Sequence, residues 1–260
     1  MTSSPGRNGG SKSAAGPPEE EEDARLRSLM ETATAHPSLA ADRILSLLRA
    51  PRVTAGLIVA ISRRPIWMKF DRVRLAIVLH PSTPRSLALG LLSHLRWGDL
   101  ARVAAAPRPG APVRSAAEKI LLLRLPELAL GEKVTLARTA TRGLLRALRS
   151  EDSPLVVRAM LDNPLLQVED ALSMVESERA PAAVLQVVAE SSRFAASQEL
   201  RIAVASHGAT PPVAALRLVQ RLDGGGLVRL LSSPRLPPLI ALAARRRLEA
   251  LGLPEPPSDI

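Results

Sequence analysis

Apolar residues recur at intervals of three and four along most of this chain. Residues 84–95 are a representative stretch, because their apolar positions cluster on one helical face after Arg85 and Ser86. Those positions are Leu87, Leu89, Leu91, Leu92 and Leu95. This spacing is typical of an amphipathic helix and not of the strict alternation of a strand. We therefore predict α-helix between the turns throughout the chain.

Turn signals interrupt the helical pattern at six points, where proline or glycine follows the last residue of an apolar segment. They are His36-Pro37, His80-Pro81, Leu125-Pro126, Asn163-Pro164, His207-Gly208 and Leu253-Pro254. Neighbouring signals lie 38 to 46 residues apart. That period is typical of HEAT and armadillo arrays, which use two or three helices per repeat. The spacing predicts about six helical repeats.

The chain also repeats itself at an offset of 127 residues, so that residues 36–125 (the first copy) align without a gap with 163–252 (the second copy). HPSTPRSLALGLLSHL begins at His80, and HGATPPVAALRLVQRL begins at His207. Identical pairs include Arg74/Arg201, His80/His207, Thr83/Thr210, Pro84/Pro211, Leu95/Leu222 and Arg102/Arg229. We interpret this as an internal duplication. Residues kept in both copies are then expected to be structural, and residues in one copy only are free to serve function.

The shared turn residues are predicted to cap helices. Four of them end a helix, and we expect each to cap the C-terminus of that helix. They are His36, His80, Asn163 and His207. Four others are predicted to begin a helix, with a hydroxyl at the N-cap and proline at the first helical position. They are Thr83 with Pro84, and Thr210 with Pro211. Gly224, Gly225 and Gly226 lack the Lys-Ser/Thr of a phosphate loop, so we predict a turn there.

The segments VRLAIVLHPSTP and LRIAVASHGATP, each followed by a leucine-rich helix, resemble bacterial α-solenoids of the HEAT-like and leucine-rich-repeat-variant type. The resemblance covers about residues 24–252. It implies an all-α fold, an α-solenoid of about six helical repeats in two duplicated halves. It also implies a scaffold or adaptor that binds partners, because such solenoids serve mostly as interaction surfaces.

Composition agrees with this fold and narrows the chemistry. Hydrophobic residues make up 46% of the 260 residues and aromatic residues only 2%, so leucine, alanine, valine and isoleucine must build the core. The absence of cysteine excludes disulfides, thiolate metal sites and cysteine nucleophiles. No HExxH or GxSxG motif is present. We therefore expect no cofactor, no metal and no enzymatic activity. Without a signal peptide or membrane span, the expected location is the cytoplasm.

Residues 1–23 are rich in glycine, serine and proline and end in EEEED. Such a segment buries too little apolar surface to offset its ordering entropy, so we predict a disordered tail at 1–23 and the α-solenoid at 24–260. The tail is interpreted in two ways. It could act simply to increase solubility, or its acidic end could fold back on a basic surface and compete with an anionic partner.

Positive charge is concentrated in the first copy. Residues 45–125 carry 14 lysines and arginines against three acids, a net charge of +11, and residues 172–252 carry ten against six, a net charge of +4. We expect the first copy to attract an anionic partner. The candidate residues for anion or partner binding are Arg63, Arg64, Lys69, Arg72, Arg74, Arg96, Trp97 and Arg102. A genome rich in G and C would also favour arginine, which outnumbers lysine 31 to 4.

The first expectation for the partner is a protein, with an acidic one best matched to this charge; no membrane partner is expected. The alternative is sequence-independent binding of nucleic acid through its phosphates, since aromatic residues for base stacking are scarce. A third possibility is a HEAT-like DNA-repair glycosylase, for which Trp97 and Asp99 near Trp67 and Phe70 would be the site. The competing interpretation is that Trp67, aligned with Phe194, fills a gap between helices.

Overall fold

The computed structural model describes residues 24, 28, 37–50 and 53–254, and over this part of the chain it contains sixteen α-helices, one 3₁₀ turn and no strand. The prediction of an all-α fold is confirmed. The helices are α1 (Pro37–Leu48), α2 (Ala55–Ser62), α3 (Pro65–Met68), α4 (Asp71–Leu79), α5 (Arg85–Leu92), α6 (Trp97–Ala105), α7 (Ala111–Arg124), α8 (Leu130–Thr139), α9 (Arg142–Leu148), α10 (Pro154–Leu161), α11 (Val168–Val175), α12 (Ala182–Glu190), α13 (Gln198–Ser206), α14 (Pro212–Val219), α15 (Gly224–Leu231) and α16 (Pro238–Ala250), with the 3₁₀ turn at Leu125–Glu127. The predicted tail at 1–23 and the turn at His36 lie outside the described residues.

Most of these helices are too short to be stable alone in water, where fewer than about 12 residues form a marginal helix. Helix α10 is an example, since it has eight residues and buries Val156, Val157 and Met160 almost completely. Full burial of one such side chain contributes about 1.5–3 kcal/mol. Packing against neighbouring helices therefore stabilises these segments, and their amphipathic pattern selects the face that packs.

The chain forms two compact units, an N-terminal unit ending at Arg96 and a C-terminal unit beginning at Trp97. In the N-terminal unit, one hydrophobic core joins α1 to α4 and includes a fully buried tryptophan. Its most deeply buried members are Ala41, Ile44, Ile58, Ile61, Trp67, Val73 and Ile77. Leu87 and Leu91 of α5 pack against this core from the side.

Within the C-terminal unit, helices of even and odd number form two separate series of contacts. Helices α6, α8, α10, α12, α14 and α16 each pack against the next member of the even series, and α11, α13 and α15 do so in the odd series. The pairs α6–α7, α13–α14 and α15–α16 link the two series. The even series is therefore continuous from α6 to α16, while the odd series joins α11, α13 and α15.

Two pairs of helices have the same boundaries at the offset of 127 residues. Helices α4 and α13 begin and end at equivalent positions, and so do α5 and α14. Trp67 and Phe194 are also equivalent, and both are buried: Trp67 is 1% exposed and Phe194 is 7% exposed. A large aromatic side chain therefore fills the same local position in both copies.

Two local predictions need correction. The three glycines at 224–226 form the first turn of α15 and not a turn between helices, because Asp223 is the N-cap and its carboxylate accepts from the Gly226 N–H at 2.7 Å. Thr83 and Thr210 are not N-caps either. Pro84 and Pro211 take that position, and each threonine hydroxyl donates back to the preceding helix.

Candidate partner-binding surface

The two aspartates among the described residues of the N-terminal unit are both engaged by arginines. Asp42 pairs with Arg72 at 3.2 Å. Asp71 pairs with Arg96 at 2.6 Å and also accepts a hydrogen bond from Arg74. The positive charge of three of the predicted binding residues is therefore partly neutralised by a neighbouring aspartate carboxylate. Arg72 and Arg96 remain exposed, whereas Arg74 is half-buried.

Arg74 has a structural role that both copies share. Its guanidinium donates to the Met68 carbonyl oxygen at 2.9 Å. Arg201, at the equivalent position of the second copy, donates to the Ala195 carbonyl oxygen at 2.5 Å. In each case the arginine binds a carbonyl six residues earlier and ties the start of its helix to the turn before it. Arg74 is thus committed to an internal contact.

Three other cations surround the short helix α3. Arg63 is the C-cap of α2, Arg64 is the N-cap of α3 and Lys69 is its C-cap. All three side chains are exposed, and none forms an ion pair within the described part of the chain. Because α3 is a single helical turn, the three residues lie within seven positions of the chain. We call Arg63, Arg64 and Lys69 the basic turn.

The remaining two predicted binding residues lie in the C-terminal unit, at the start of α6. The Trp97 indole Nε1–H donates to Glu132 Oε1 at 2.7 Å, and Glu132 Oε2 in turn accepts from the Ala129 N–H at 3.0 Å. Trp97 therefore links α6 to the N-terminus of α8. Arg102 is exposed and lies 3.7 Å from Asp99, also on α6.

The aromatic and acidic residues considered for a repair enzyme fall in different units, Trp67 and Phe70 in the first and Trp97 and Asp99 in the second. Trp67 is only 1% exposed, so its ring cannot stack on a ligand at the surface. It fills the space between helices, as the competing interpretation predicted.

The residues that end these helices each form the same type of hydrogen bond, in which a side-chain atom accepts from the backbone N–H two residues later. His80 Nδ1 accepts from the Ser82 N–H at 3.1 Å, and His207 Nδ1 accepts from the Ala209 N–H at 3.1 Å. Asn163 Oδ1 accepts from the Leu165 N–H at 2.9 Å in the same way. Nδ1 of His80 must be unprotonated to accept, so this side chain holds the turn as a neutral group and not as a cation on a helix dipole. Burial lowers the pKa of His80, which favours the same state.

The threonines of these turns bind the preceding helix. Thr83 Oγ1 donates to the Ile77 carbonyl oxygen at 2.5 Å, and Thr210 Oγ1 donates to the Val204 carbonyl oxygen at 2.6 Å. Helices leave their last carbonyls without partners inside the helix. Each threonine therefore caps the C-terminus of one helix, while the proline after it starts the next.

A polar network that the sequence analysis did not predict surrounds the turn at 161–166. Asn163, only 1% exposed, donates its amide to the carbonyl oxygens of Ala137 at 2.8 Å and Ala140 at 3.1 Å. Arg193 donates to four carbonyl oxygens of the same turn, and its guanidinium lies 5.0 Å from the Phe194 ring centre. Those acceptors belong to Leu161, Asn163, Pro164 and Leu166. Every residue has a backbone carbonyl, so a sequence does not show which carbonyls will accept hydrogen bonds. Only Asn163 itself could be selected from the sequence, as a turn residue.

Two carboxylates of the C-terminal unit have lowered pKa values. The Gly226 N–H and then the Gln198 amide hold the pKa of Asp223 below its usual value. The Arg235 guanidinium, through a hydrogen bond and its charge, does the same for Glu178. Arg235, Glu178 and His207 line a shallow groove at the ends of α11, α13 and α15. Both carboxylates are engaged within the fold.

No protein-family model, curated protein or solved structure matches the chain. Among the described helices, none has the length and apolar character needed to cross a bilayer. The same part of the chain contains no group of three or more metal-ligating side chains placed to hold an ion. The candidate surface is therefore defined by the charges and contacts of the chain itself.

Proposed function

We propose that this protein is a non-enzymatic scaffold or adaptor of the helical-repeat type, and that its basic turn binds an acidic segment of a protein partner. One observation carries the proposal. Arg63, Arg64 and Lys69 are exposed cations without an ion pair in the described residues of their unit, where both aspartates are already engaged by other arginines. These cations are therefore available to form ion pairs with a carboxylate from outside that unit.

The comparison between copies supports this assignment. At the offset of 127 residues, Arg63, Arg64 and Lys69 correspond to Glu190, Ser191 and Ala196. The basic turn is therefore unique to the first copy. Arg74 and Arg201, which are kept in both copies, have internal roles by contrast, because both bind carbonyl oxygens. A feature that the fold does not need, and that one copy lacks, is a suitable candidate for binding.

The small size of the basic turn favours an acidic protein segment over a DNA duplex. Non-specific duplex binding commonly uses about 6–10 phosphate contacts. Of the six predicted binding residues in the N-terminal unit, Arg72, Arg74 and Arg96 are engaged with aspartates. Binding through the three cations of the basic turn alone would give a salt slope of about −3, by about −0.9 per phosphate. Three charges in one turn suit a short run of carboxylates better.

A scaffold role also fits the even and odd series of helix contacts in the C-terminal unit. We propose that the helix pairs stack as an α-solenoid of about six repeats in two duplicated halves. In such arrays each repeat packs on its neighbours, and the exposed faces are left for partners. The equivalent helix boundaries of the two copies support the duplication.

The test is fluorescence anisotropy with two labelled probes, a glutamate-rich peptide of about ten residues and a DNA duplex of about 20 base pairs, at about 50 to 300 mM salt. The test variant is R63E/R64E/K69E. The matched control is R138E/R146E/R246E, which makes the same charge change at three exposed arginines of the C-terminal unit. Each surface ion pair contributes about 0.2–1 kcal/mol, so the test variant should lose peptide binding by about tenfold or more.

The outcomes separate the alternatives. Peptide binding that is lost in the test variant and kept in the control supports the proposal. Equal loss in both variants would mean that net charge alone attracts the peptide. The assignment of peptide binding to the basic turn would then be wrong. Duplex binding with a salt slope much steeper than about −3 would favour nucleic acid instead. If neither the full chain nor a chain without residues 1–23 binds either probe at about 50 mM salt, the proposal fails.

A further inference from the structure

We propose that the acidic run Glu19–Asp23 of the same chain occupies the basic turn when no partner is bound, and that a partner must displace it. This inference rests on the proposed function, because it assigns a regulator to the same surface. The acidic run would act as a competitor in cis, in the manner of a pseudo-ligand.

Charge complementarity is the first argument. Residues 37–96 carry ten lysines and arginines but only two acids, Asp42 and Asp71. Both are engaged, Asp42 by Arg72 and Asp71 by Arg74 and Arg96. The basic turn consequently lacks a counter-ion among the described residues of its unit. Residues 19–23 offer five consecutive carboxylates, the longest acidic run in the sequence.

The length of chain between the two segments is sufficient. Fourteen peptide steps separate Asp23 from Pro37 at the start of α1. Fourteen steps span about 21 Å in a helix and about 48 Å fully extended. A compact unit of about 60 residues has a radius of gyration of about 10 Å and a diameter of about 27 Å. Residues 24 and 28 are helical, so the reach of the linker lies between these two limits and is comparable to the diameter of the unit.

The tether also compensates for the weakness of surface ion pairs. A short linker gives an effective concentration in the millimolar range. A contact with a dissociation constant near 1 mM would then be occupied most of the time in cis, although it would be negligible between separate molecules. Competition at an effective concentration of a few millimolar weakens partner binding by about two- to five-fold. The regulation is modest, and salt should abolish it because the charges are exposed.

The first experiment neutralises the acidic run while keeping its length, in the variant E19Q/E20Q/E21Q/E22Q/D23N. At about 50 mM salt this variant should bind the glutamate-rich peptide about two- to five-fold more tightly than the full chain, and at about 300 mM the two should be equal. The same neutralisation in the R63E/R64E/K69E background should have no effect. Tightening of equal size in that background, or no tightening at low salt, overturns the proposal.

A second measurement does not depend on the peptide. The chain contains no cysteine, so P18C introduces a single site for a spin label beside the acidic run. Broadening of the backbone amide signals of Arg63, Arg64 and Lys69 at low salt, relieved by neutralising residues 19–23, supports the contact. Unbroadened signals overturn it. Broadening without peptide binding would refute the proposed function alone, and peptide binding without broadening would refute this inference alone.

Discussion

Replacement of Asn163 by alanine should remove a buried side chain that links two helices of the C-terminal unit. The side chain is 1% exposed and makes three hydrogen bonds. It donates to the carbonyl oxygens of Ala137 and Ala140, and it accepts from the Leu165 N–H. Alanine keeps the helix but leaves these backbone groups without the asparagine partner. The turn after α10 then loses its link to the end of α8.

The expected cost follows from the number of bonds. A hydrogen bond within a protein contributes a net of about 1 kcal/mol, and a buried group left unpaired costs about 1–3 kcal/mol. Three bonds therefore predict a loss of about 3 kcal/mol in the free energy of unfolding. The neighbouring Asp162→Ala is the matched control, because Asp162 is exposed and such surface changes stay within about 0.5 kcal/mol.

Urea unfolding followed by tryptophan fluorescence measures this loss in the correct unit. The chain has two tryptophans, Trp67 in the N-terminal unit and Trp97 in the C-terminal unit. In a Trp67→Phe background only Trp97 reports. Phenylalanine is suited to that position, since Phe194 is buried at the equivalent place in the second copy. An Asn163→Ala variant with an unchanged midpoint and slope would refute the reasoning that these bonds stabilise the unit.

Three further predictions use the same unfolding assay. Thr210→Val should cost about 1 kcal/mol, because it removes the hydroxyl bond to the carbonyl oxygen six residues earlier, and Thr210→Ser should recover most of it. Gly226→Ala should destabilise, since the new methyl group would meet the Leu222 side chain at 3.2 Å and would overlap Oε1 of Gln198. Gly225→Ala in the same helix meets only an ordinary contact and should stabilise by about 0.5–1 kcal/mol. Burial lowers the pKa of His80 from 6.5, so the folded state binds fewer protons than the unfolded chain. The stability that His80 contributes is therefore fully present above about pH 6.5, and it should fall as pH decreases through the folded pKa. Unfolding between about pH 5 and 7.5 in a background that leaves only the N-terminal tryptophan should reveal this slope, and His80→Asn should remove it.

The helices were predictable because a period of three to four apolar residues is a direct consequence of packing one helical face. Leu87, Leu91 and Leu92 belong to such a face, and α5 forms there. Helix starts were less accurate. Thr83 was expected at an N-cap, but the hydroxyl binds the carbonyl oxygen of Ile77 instead. A threonine before a proline can serve the helix before it or the helix after it, and only the geometry of the turn decides.

The candidate surface was predictable in composition but not in detail. Sequence reasoning selected eight residues by charge and position, and it could not separate Arg74, which binds a backbone carbonyl, from Arg63, which has no ion pair among the described residues. Ion pairs such as Asp42–Arg72 join residues from different helices, and their partners depend on packing. Trp97 is a further example, because its role depends on Glu132, which lies 35 residues further along the chain.

The two copies together explain why the basic turn stands out. Where the copies agree, as at His80 and His207, the side chain binds the backbone of its own turn, so that changing it would cost stability in either copy. Where they differ, as at Arg63 and Glu190, the side chain is exposed and the fold tolerates opposite charges. Glu190 in addition lies 3.8 Å from Arg158, which supplies a counter-ion that Arg63 lacks among the described residues. The fold thus tolerates a change at this surface position, and the unbalanced charge of Arg63 is the feature that we propose an acidic segment recognises.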